Sequence, residues 1–551
     1  MKRQVLVRAL VTACVGACVS SAQAQTADPG NVQRAIEDQS LPRRPASPPP
    51  AALVGERKPL QKLVEVVVEG SALVAPVKAY WQSKIGGSVS AEELLAFENW
   101  VADQGRRGSF LSYAQTLIEA VPGGGQRLKV QVVAPRVQSV STQLAQAPLG
   151  EAYQARVQQR LASVLRSGEL IDMQALEEQL SAAGYDLPVD LGLVLRPAGP
   201  ERVDVLVEIA PRRVKPGDVK VSAWQANNYG LRQYGEPQVM GSVTLAGVEP
   251  GDEINLLGLG SMGVAYARAE YEALTPSLQG RARVWGNTSR TKTIKGGVAA
   301  VAGDSHEFGV GFSHYLPVSW RHPLKSQYSL SRRLTASELA NSGLGISEIR
   351  DSQFRWTLSS ESLAGAWTPF RAELSLALGD YTTVVGDLTP EGGYGFVQGS
   401  VRYEHPVTDD ERWHAEYRLR GQWASRNLDS YNRMSLGGVN GVRAYTSADG
   451  VGDSGAQWSV ELVRKISGTQ SVGVFYDGGV IRPNRKPVTG SLNSSYTLNA
   501  VGVAWSGSVG SWLFNSSLAQ GFGGYKKAER NEPTESRSNE TRVFVSATYY
   551  F

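Results

Sequence analysis

The sequence predicts a transmembrane β-barrel of about 16 antiparallel strands, preceded by two small α+β domains and a short N-terminal helix. Three observations carry this. Residues 212–551 lose every helical period and alternate apolar with polar residues in segments of roughly ten. Residues 61–211 repeat one pattern of strand, two helices and strands. The N-terminus is an export leader.

Lys2, Arg3 and Arg8 flank the apolar stretch LVTACVGACVSSAQA, which ends in Ala22-Gln23-Ala24. This is a signal peptide over residues 1–24. The alternative, a lipoprotein cut before Cys14, would leave a very short apolar region interrupted by Arg8. Both cysteines, Cys14 and Cys18, lie in the leader, so the remainder has no disulfide or thiolate chemistry. The leader also holds three of the 56 basic residues and none of the 52 acidic ones, which leaves +1 (56 − 3 − 52). A near-neutral chain lacks the electrostatic footprint of nucleic-acid binding, whatever its pI of 8.8.

Residues 25–40 contain one short helix. Asp28 suits its cap and Pro29 its first position. Its apolar stripe is thin, only Val32, Ala35 and Ile36, so it sits in a wet environment or is barely stable alone. Residues 41–60 are proline-rich, with Pro48-Pro49-Pro50 at their centre, and read as an extended linker. A movable tethered element and a disordered tail both fit this composition.

The doubled unit follows. Val64, Val66 and Val68 alternate as a strand, Leu94, Phe97 and Val101 share a helical face, and Leu128, Val130 and Val132 form another strand. The second copy has VQSVSTQ as a strand. Val157, Leu161, Val164 and Leu165 make one helical stripe, and Met173, Leu176 and Leu180 another. Val203, Val205, Val207 and Ile209 form a closing strand. The domains are placed at 61–135 and 136–211.

In the barrel region HAEYRLRGQWA puts Ala415, Tyr417, Leu419 and Trp423 on one face and Glu416, Arg418, Arg420 and Gln422 on the other. A barrel with lipid outside and water inside needs this division. QWSVEL repeats it, with Ser459 and Glu461 opposite Trp458, Val460 and Leu462. The terminal TRVFVSATYYF sets Val543, Val545, Ala547, Tyr549 and Phe551 against Arg542, Ser546 and Thr548, and stops on an interface aromatic. No apolar run long enough for a helical span follows the leader.

Gly258-Leu259-Gly260-Ser261-Met262-Gly263 matches a dinucleotide fingerprint. The residues after it alternate as a strand, so the glycines are read as joining two barrel strands. The five histidines show no metal-ligand spacing, and no nucleophile motif occurs. Asp409-Asp410-Glu411 reads as a solvated turn. The expectation is no metal, no cofactor and no catalysis.

One loop stands apart. SLGGVNGVRAYTSADGVGDSG is glycine-dense, yet carries Val442-Arg443-Ala444-Tyr445. Downstream, SVGVFYDGGVI alternates so that Phe475 and Asp477 face the lumen while Val474 and Tyr476 face lipid. A guanidinium on a pliable loop and a carboxylate on the wall make a directional, bidentate pair. A solvated Arg443 is the alternative.

The order of parts resembles the two-partner secretion transporters of Gram-negative outer membranes, the haemolysin-activator or filamentous-haemagglutinin-transporter type (TpsB) of the outer-membrane assembly-protein superfamily. IDMQALEEQLSAAGYDLPVDLGLVLRPAG is similar to part of that family's second POTRA domain. WQANNYGL resembles its first barrel strand and HPLKSQYSLSRRL a mid-barrel strand. RNLDSYNRMSLGGVNGVRAY resembles its sixth-loop signature, and Phe475-Tyr476-Asp477-Gly478-Gly479 its Phe-x-Asp-x-Gly strand motif. The resemblance implies a protein-translocating outer-membrane pore over residues 212–551, with a plug helix at 25–40 and periplasmic POTRA domains. Val442, Arg443 and Tyr445 would form the loop motif. Asp477, with Phe475 and Gly479, would form its partner on the wall. The implied partners are an unfolded secreted exoprotein, outer-membrane lipid and the machinery that inserts the barrel. An assembly factor of the same superfamily and a passive porin are the other readings. Ala444 stands where the family usually has glycine, which puts in doubt any role needing positive φ there.

Overall fold

The computed structural model describes residues 29–39 and 59–551, apart from 71–72, 123, 145–150, 200, 213–214, 296–299, 317–321, 341–342, 363–368, 386–390, 409, 490, 527 and 529–534. The leader, the Asp28 cap and most of the proline-rich linker lie outside the described residues.

Helix α1 (Pro29–Glu37) is followed by two α+β units. The first contains β1 (Leu63–Glu69), α2 (Val74–Gln82), α3 (Ala91–Arg107), β2 (Tyr113–Ala120) and β3 (Gln126–Val133). Its strands lie in the order β1-β3-β2, with β1 parallel and β2 antiparallel to β3. One sheet face packs Leu63, Leu128, Val130 and Val132 on Val77, Trp81, Leu94, Phe97 and Val101. The other face is wet and held by charge pairs, Glu65–Arg127 at 2.7 Å and Glu69–Lys129 at 3.0 Å. Such exposed pairs contribute little stability but keep the face soluble.

The second unit repeats this with β4 (Arg136–Leu144), α4 (Glu151–Leu161), α5 (Met173–Asp186), β5 (Val189–Gly199) and β6 (Arg202–Pro211), in sheet order β4-β6-β5. Val203, Val205, Val207 and Ile209 are its buried strand face. Asp172 caps α5 through the Ala175 N–H at 3.1 Å. Helix α4 stops at Leu161, earlier than its apolar pattern implied; Val164 and Leu165 pack into the core from the turn that follows.

Sixteen antiparallel strands then close a barrel. They are β7 (Val219–Asn227), β8 (Gln238–Ala246), β9 (Glu253–Ser261), β10 (Val264–Thr275), β11 (Gly280–Lys292), β12 (Val301–Tyr315), β13 (Leu324–Leu339), β14 (Leu344–Glu361), β15 (Phe370–Val385), β16 (Gly392–Pro406), β17 (Trp413–Ala424), β20 (Ser454–Lys465), β21 (Gln470–Arg482), β22 (Tyr496–Val509), β23 (Trp512–Phe522) and β24 (Thr541–Tyr550). A small ribbon, β18 (Met434–Ser435) with β19 (Val451–Gly452), lies within the loop between β17 and β20. No helix among the described residues is long and apolar enough to cross a membrane. The alternation sorts side chains as lipid and water demand: Leu419 and Trp423 are 55% and 54% exposed outside, while Glu416 and Gln422 are buried inside.

Two local expectations are corrected. Strands in the middle of the barrel exceed ten residues, reaching 18 in β14, because they extend beyond the apolar belt. Gly258 and Gly260 lie inside β9; only Met262-Gly263 forms the turn to β10.

The second α+β unit meets the barrel at the end that carries the short turns. Tyr185, at the end of α5, enters a rim socket. Arg281 and Lys325 lie over its ring at 4.5 and 4.2 Å, and its hydroxyl meets Ser313 Oγ at 2.8 Å. Arg156 donates to the Pro276 carbonyl at 2.6 Å, and His322 Nδ1 lies 2.7 Å from Glu178. Burial pushes the neighbouring Asp186 carboxyl up to about 6, despite its ion pair with Arg160.

Candidate functional site

The loop of residues 425–453 folds back into the lumen. Glycines let it double on itself: a Cβ at Gly437 would fall 2.1 Å from the Thr446 carbonyl oxygen. Val442, Arg443, Ala444 and Tyr445 are all buried. Arg443 Nε donates to Asp477 Oδ2 at 2.8 Å and Nη2 to Oδ1 at 2.9 Å, a bidentate pair. The Arg443 backbone N–H also reaches Oδ2 at 3.2 Å. Its guanidinium carbon lies 3.3 Å from the Phe475 ring centroid, so one β21 face supplies both carboxylate and aromatic contact.

The loop closes around this pair. Tyr445 packs edge-on against Tyr525 at 4.8 Å, and Val442 joins Leu436, Leu498 and Ala500 in an apolar cluster. At Gly479 a Cβ would come within 2.9 Å of Leu436, so that glycine lets the loop lie on the wall. Ala444 is absent from the residues with positive φ and is fully buried. The backbone here asks nothing of glycine.

Arg443 has a second carboxylate partner that motif reading missed. Glu461 Oε2 accepts from its Nη1 at 2.7 Å. The alternation of QWSVEL already put Glu461 inside, but its height relative to Asp477 depends on strand register, in which Glu461 faces Phe475 and Ser459 faces Asp477. Glu461 continues into a ladder along the wall. Arg418 bonds Glu461 at 3.1 Å and forms an ion pair with Glu416 at 2.8 Å, and Arg402 bonds Glu416 at 3.0 Å and Glu404 at 2.8 Å. These charges line a polar cavity of about 470 Å3, open below Arg443 toward the short-turn end.

The base of the loop is held elsewhere, by a cluster that joins the HPLKSQYSLSRRL and RNLDSYNRMSL stretches to β14. Arg333 on β13 pairs with Asp351 on β14 and with Asp429 of the loop, each at 2.7 Å. Tyr381 donates to Asp429 at 2.8 Å, and Asn432 bonds Asp429 at 2.7 Å and Asp351 at 3.1 Å. Every one of these groups is buried.

Helix α1 lies in the lumen beside the loop. Val32 and Ile36 lie against Leu231, Tyr234, Met240, Leu259 and Tyr266, an apolar patch on an otherwise polar wall, with Ala35 buried beside them. Its polar side meets the loop. Arg34 donates to the Arg433 carbonyl at 2.5 Å, Tyr431 donates to Glu37 at 2.5 Å, and Asn440 donates to the Asp38 carbonyl at 3.0 Å. Tyr431 also lies under Arg333, 3.7 Å from ring centroid to guanidinium carbon, and so touches both the helix and the base cluster.

Among the described residues no group of His, Cys, Asp or Glu is arranged to hold a metal. The site is a set of buried polar contacts that hold a loop and a helix inside a barrel.

The family model for haemolysin secretion/activation proteins ShlB/FhaC/HecB matches residues 280–543. No curated protein matches the chain. CdiB from Escherichia coli shares the fold with a TM-score of 0.53 and 18% identity, over 94% of this chain and 95% of that one. CdiB from Acinetobacter baumannii does so with a TM-score of 0.50 and 14% identity, over 94% and 96%. Residues 280–543, from β11 to β24, thus resemble the haemolysin secretion/activation proteins ShlB/FhaC/HecB, and the chain as a whole shares its fold with both CdiB structures.

Proposed function

We propose that this arrangement is the resting state of a channel that moves one unfolded exoprotein from the periplasm to the cell surface. The observation that carries the reading is how the lumen is filled. Helix α1 and the Arg443 loop both lie inside, held by hydrogen bonds and ion pairs that can break without disturbing a wall strand. A passive porin keeps its lumen open. In this reading α1 is the plug, the linker lets it leave, and Arg443 with Asp477, Phe475, Gly479, Val442 and Tyr445 fixes where the loop rests.

We assign residues 61–135 and 136–211 as POTRA domains that capture the client. Edge strands β2 and β5 leave main-chain groups free to pair with an extended chain, and such pairing reads little side-chain sequence. A client that has not folded suits it. The periplasm supplies no ATP, so folding of the client outside would prevent its return. A client variant unable to fold would then leave the cell slowly; secretion at the normal rate would remove this driving force from the account.

Deleting residues 26–40 tests the plug. Ionic conductance of the purified barrel in planar bilayers should rise while secretion persists. Unchanged conductance would refute the plug role.

A further inference from the structure

WQANNYGL ends the first barrel strand, and its second asparagine has a use that the plug and loop do not explain. The barrel closes where β24 meets β7, through five paired residues, Ser546–Tyr550 with Ala223–Asn227. Every other pairing in the ring spans at least eight, as between β7 and β8. The joint is short because the chain leaves the wall after Asn227. Its side chain turns back to accept from the Tyr229 N–H at 2.9 Å, which bends the backbone.

β24 runs on past this point. Val543 and Val545 are 49% and 45% exposed on the outer face of the barrel. Their backbone groups on the β7 side would therefore face hydrocarbon without partners, which costs several kcal/mol per group in lipid. Asn228 meets both. Its Nδ2 donates to the Val543 carbonyl at 2.8 Å, and its Oδ1 accepts from the Val545 N–H at 2.8 Å. Its own N–H donates to the Val545 carbonyl at 3.3 Å. A side-chain amide holds N–H donors and a carbonyl acceptor in one plane, as a peptide group does. Here it takes the place of the next residue of a strand that has already turned away.

We propose that Asn228 is the closing latch of the barrel: its side-chain amide, standing in for backbone, completes the β7–β24 ladder above its five paired residues. The seam is thus divided in two. Its lower part is held by backbone pairing and by the Gln225–Thr548 side-chain bond at 3.0 Å. In its upper part Asn228 supplies the bonds to the β24 backbone, and Tyr229 packs edge-on against Phe544 beside it at 5.7 Å. Aspartate at this position keeps the acceptor for Val545 and loses the donor for Val543. Alanine loses both.

The test is heat-modifiable electrophoresis of the purified full-length protein, which reads the temperature at which the folded barrel is lost in detergent. Asn228→Ala should lower that midpoint by several degrees, with Asn228→Asp in between. Cysteines at facing positions 225 and 548, in a chain whose native cysteines are confined to the leader, can be oxidised to tie the lower seam. In the Asn228→Ala background this cross-link should restore most of the lost stability, and reduction should remove it again. An unchanged midpoint in Asn228→Ala would overturn the proposal. If alanine does not assemble, a wild-type midpoint in Asn228→Asp would overturn it. So would a formed cross-link that leaves the Asn228→Ala loss intact, because the damage would then lie outside the seam.

Discussion

Arg443 satisfies two carboxylates at once, and this sets the cost of losing it. Removing one partner of a buried pair costs ~3–5 kcal/mol, because the remaining charge stays desolvated. Arg443→Ala leaves both Asp477 and Glu461 without their shared cation, so the loop should detach and the folded barrel should melt earlier on heating. Glu461→Gln should be milder than Asp477→Asn, since the bidentate bond is made to Asp477 alone. Ala444 gives a contrasting expectation. Its φ is not positive, so glycine relieves no strain; Ala444→Gly should cost about 0.4–1 kcal/mol through chain entropy, and a higher melting temperature would contradict this. Arg443 and Asp477 were legible because each sits in a motif, and alternation aimed Asp477 inward. Glu461 was legible only as an inward carboxylate. Its meeting with Arg443 depends on strand stagger, which no local pattern encodes.

At the scale of elements, α1 has only nine residues and cannot persist alone in water. It is helical here because the barrel gives Val32 and Ile36 an apolar wall and gives Arg34 and Glu37 partners on the loop. Part of its hold on the loop runs through Tyr431, beside the Arg34 and Asn440 bonds. Tyr431→Phe keeps the ring over Arg333 and deletes the bond to Glu37, so helix release should become easier while the loop base stays in place. Single-channel recording should show more frequent openings, with the wild-type folded barrel retained; unaltered opening frequency would show that this bond does not hold the helix in the lumen. The repeated α+β units were readable from apolar periodicity, since each buries one helix face and one strand face. The Arg333–Asp351–Asp429 cluster was not, because its members lie far apart in sequence on three elements and meet only once the barrel closes.

At the scale of the whole molecule, the proposed reading gives export, capture and passage to successive parts of one chain, with the contacts between parts setting its resting form. The junction of the second α+β unit with the rim carries a pH dependence. The Asp186 carboxyl is raised by burial to about 6 from an ordinary 3.8, so the folded state holds its proton more tightly than the unfolded chain does. This contribution is complete below the unfolded value and is lost as pH rises through about 6. Protease resistance of the junction should therefore increase as pH falls from 7 toward 5, and Asp186→Asn should flatten that dependence. An equal slope in the variant would assign it to another group. Strand number was legible from chain length and alternation. The closure of the barrel was not, because five backbone pairs and a side-chain amide complete it across more than 300 residues.

The most direct measurement is secretion by Arg443→Ala and Asp477→Ala barrels. Comparing culture supernatants with and without the transporter identifies the exoprotein, and its release is then scored per folded barrel in each variant. A tenfold shift in a working population needs about 1.4 kcal/mol, less than the ~3–5 kcal/mol expected for breaking the buried pair. The account predicts roughly tenfold or greater loss of secretion in both variants with the barrel still inserted. Wild-type secretion from correctly inserted Arg443→Ala and Asp477→Ala barrels would contradict it.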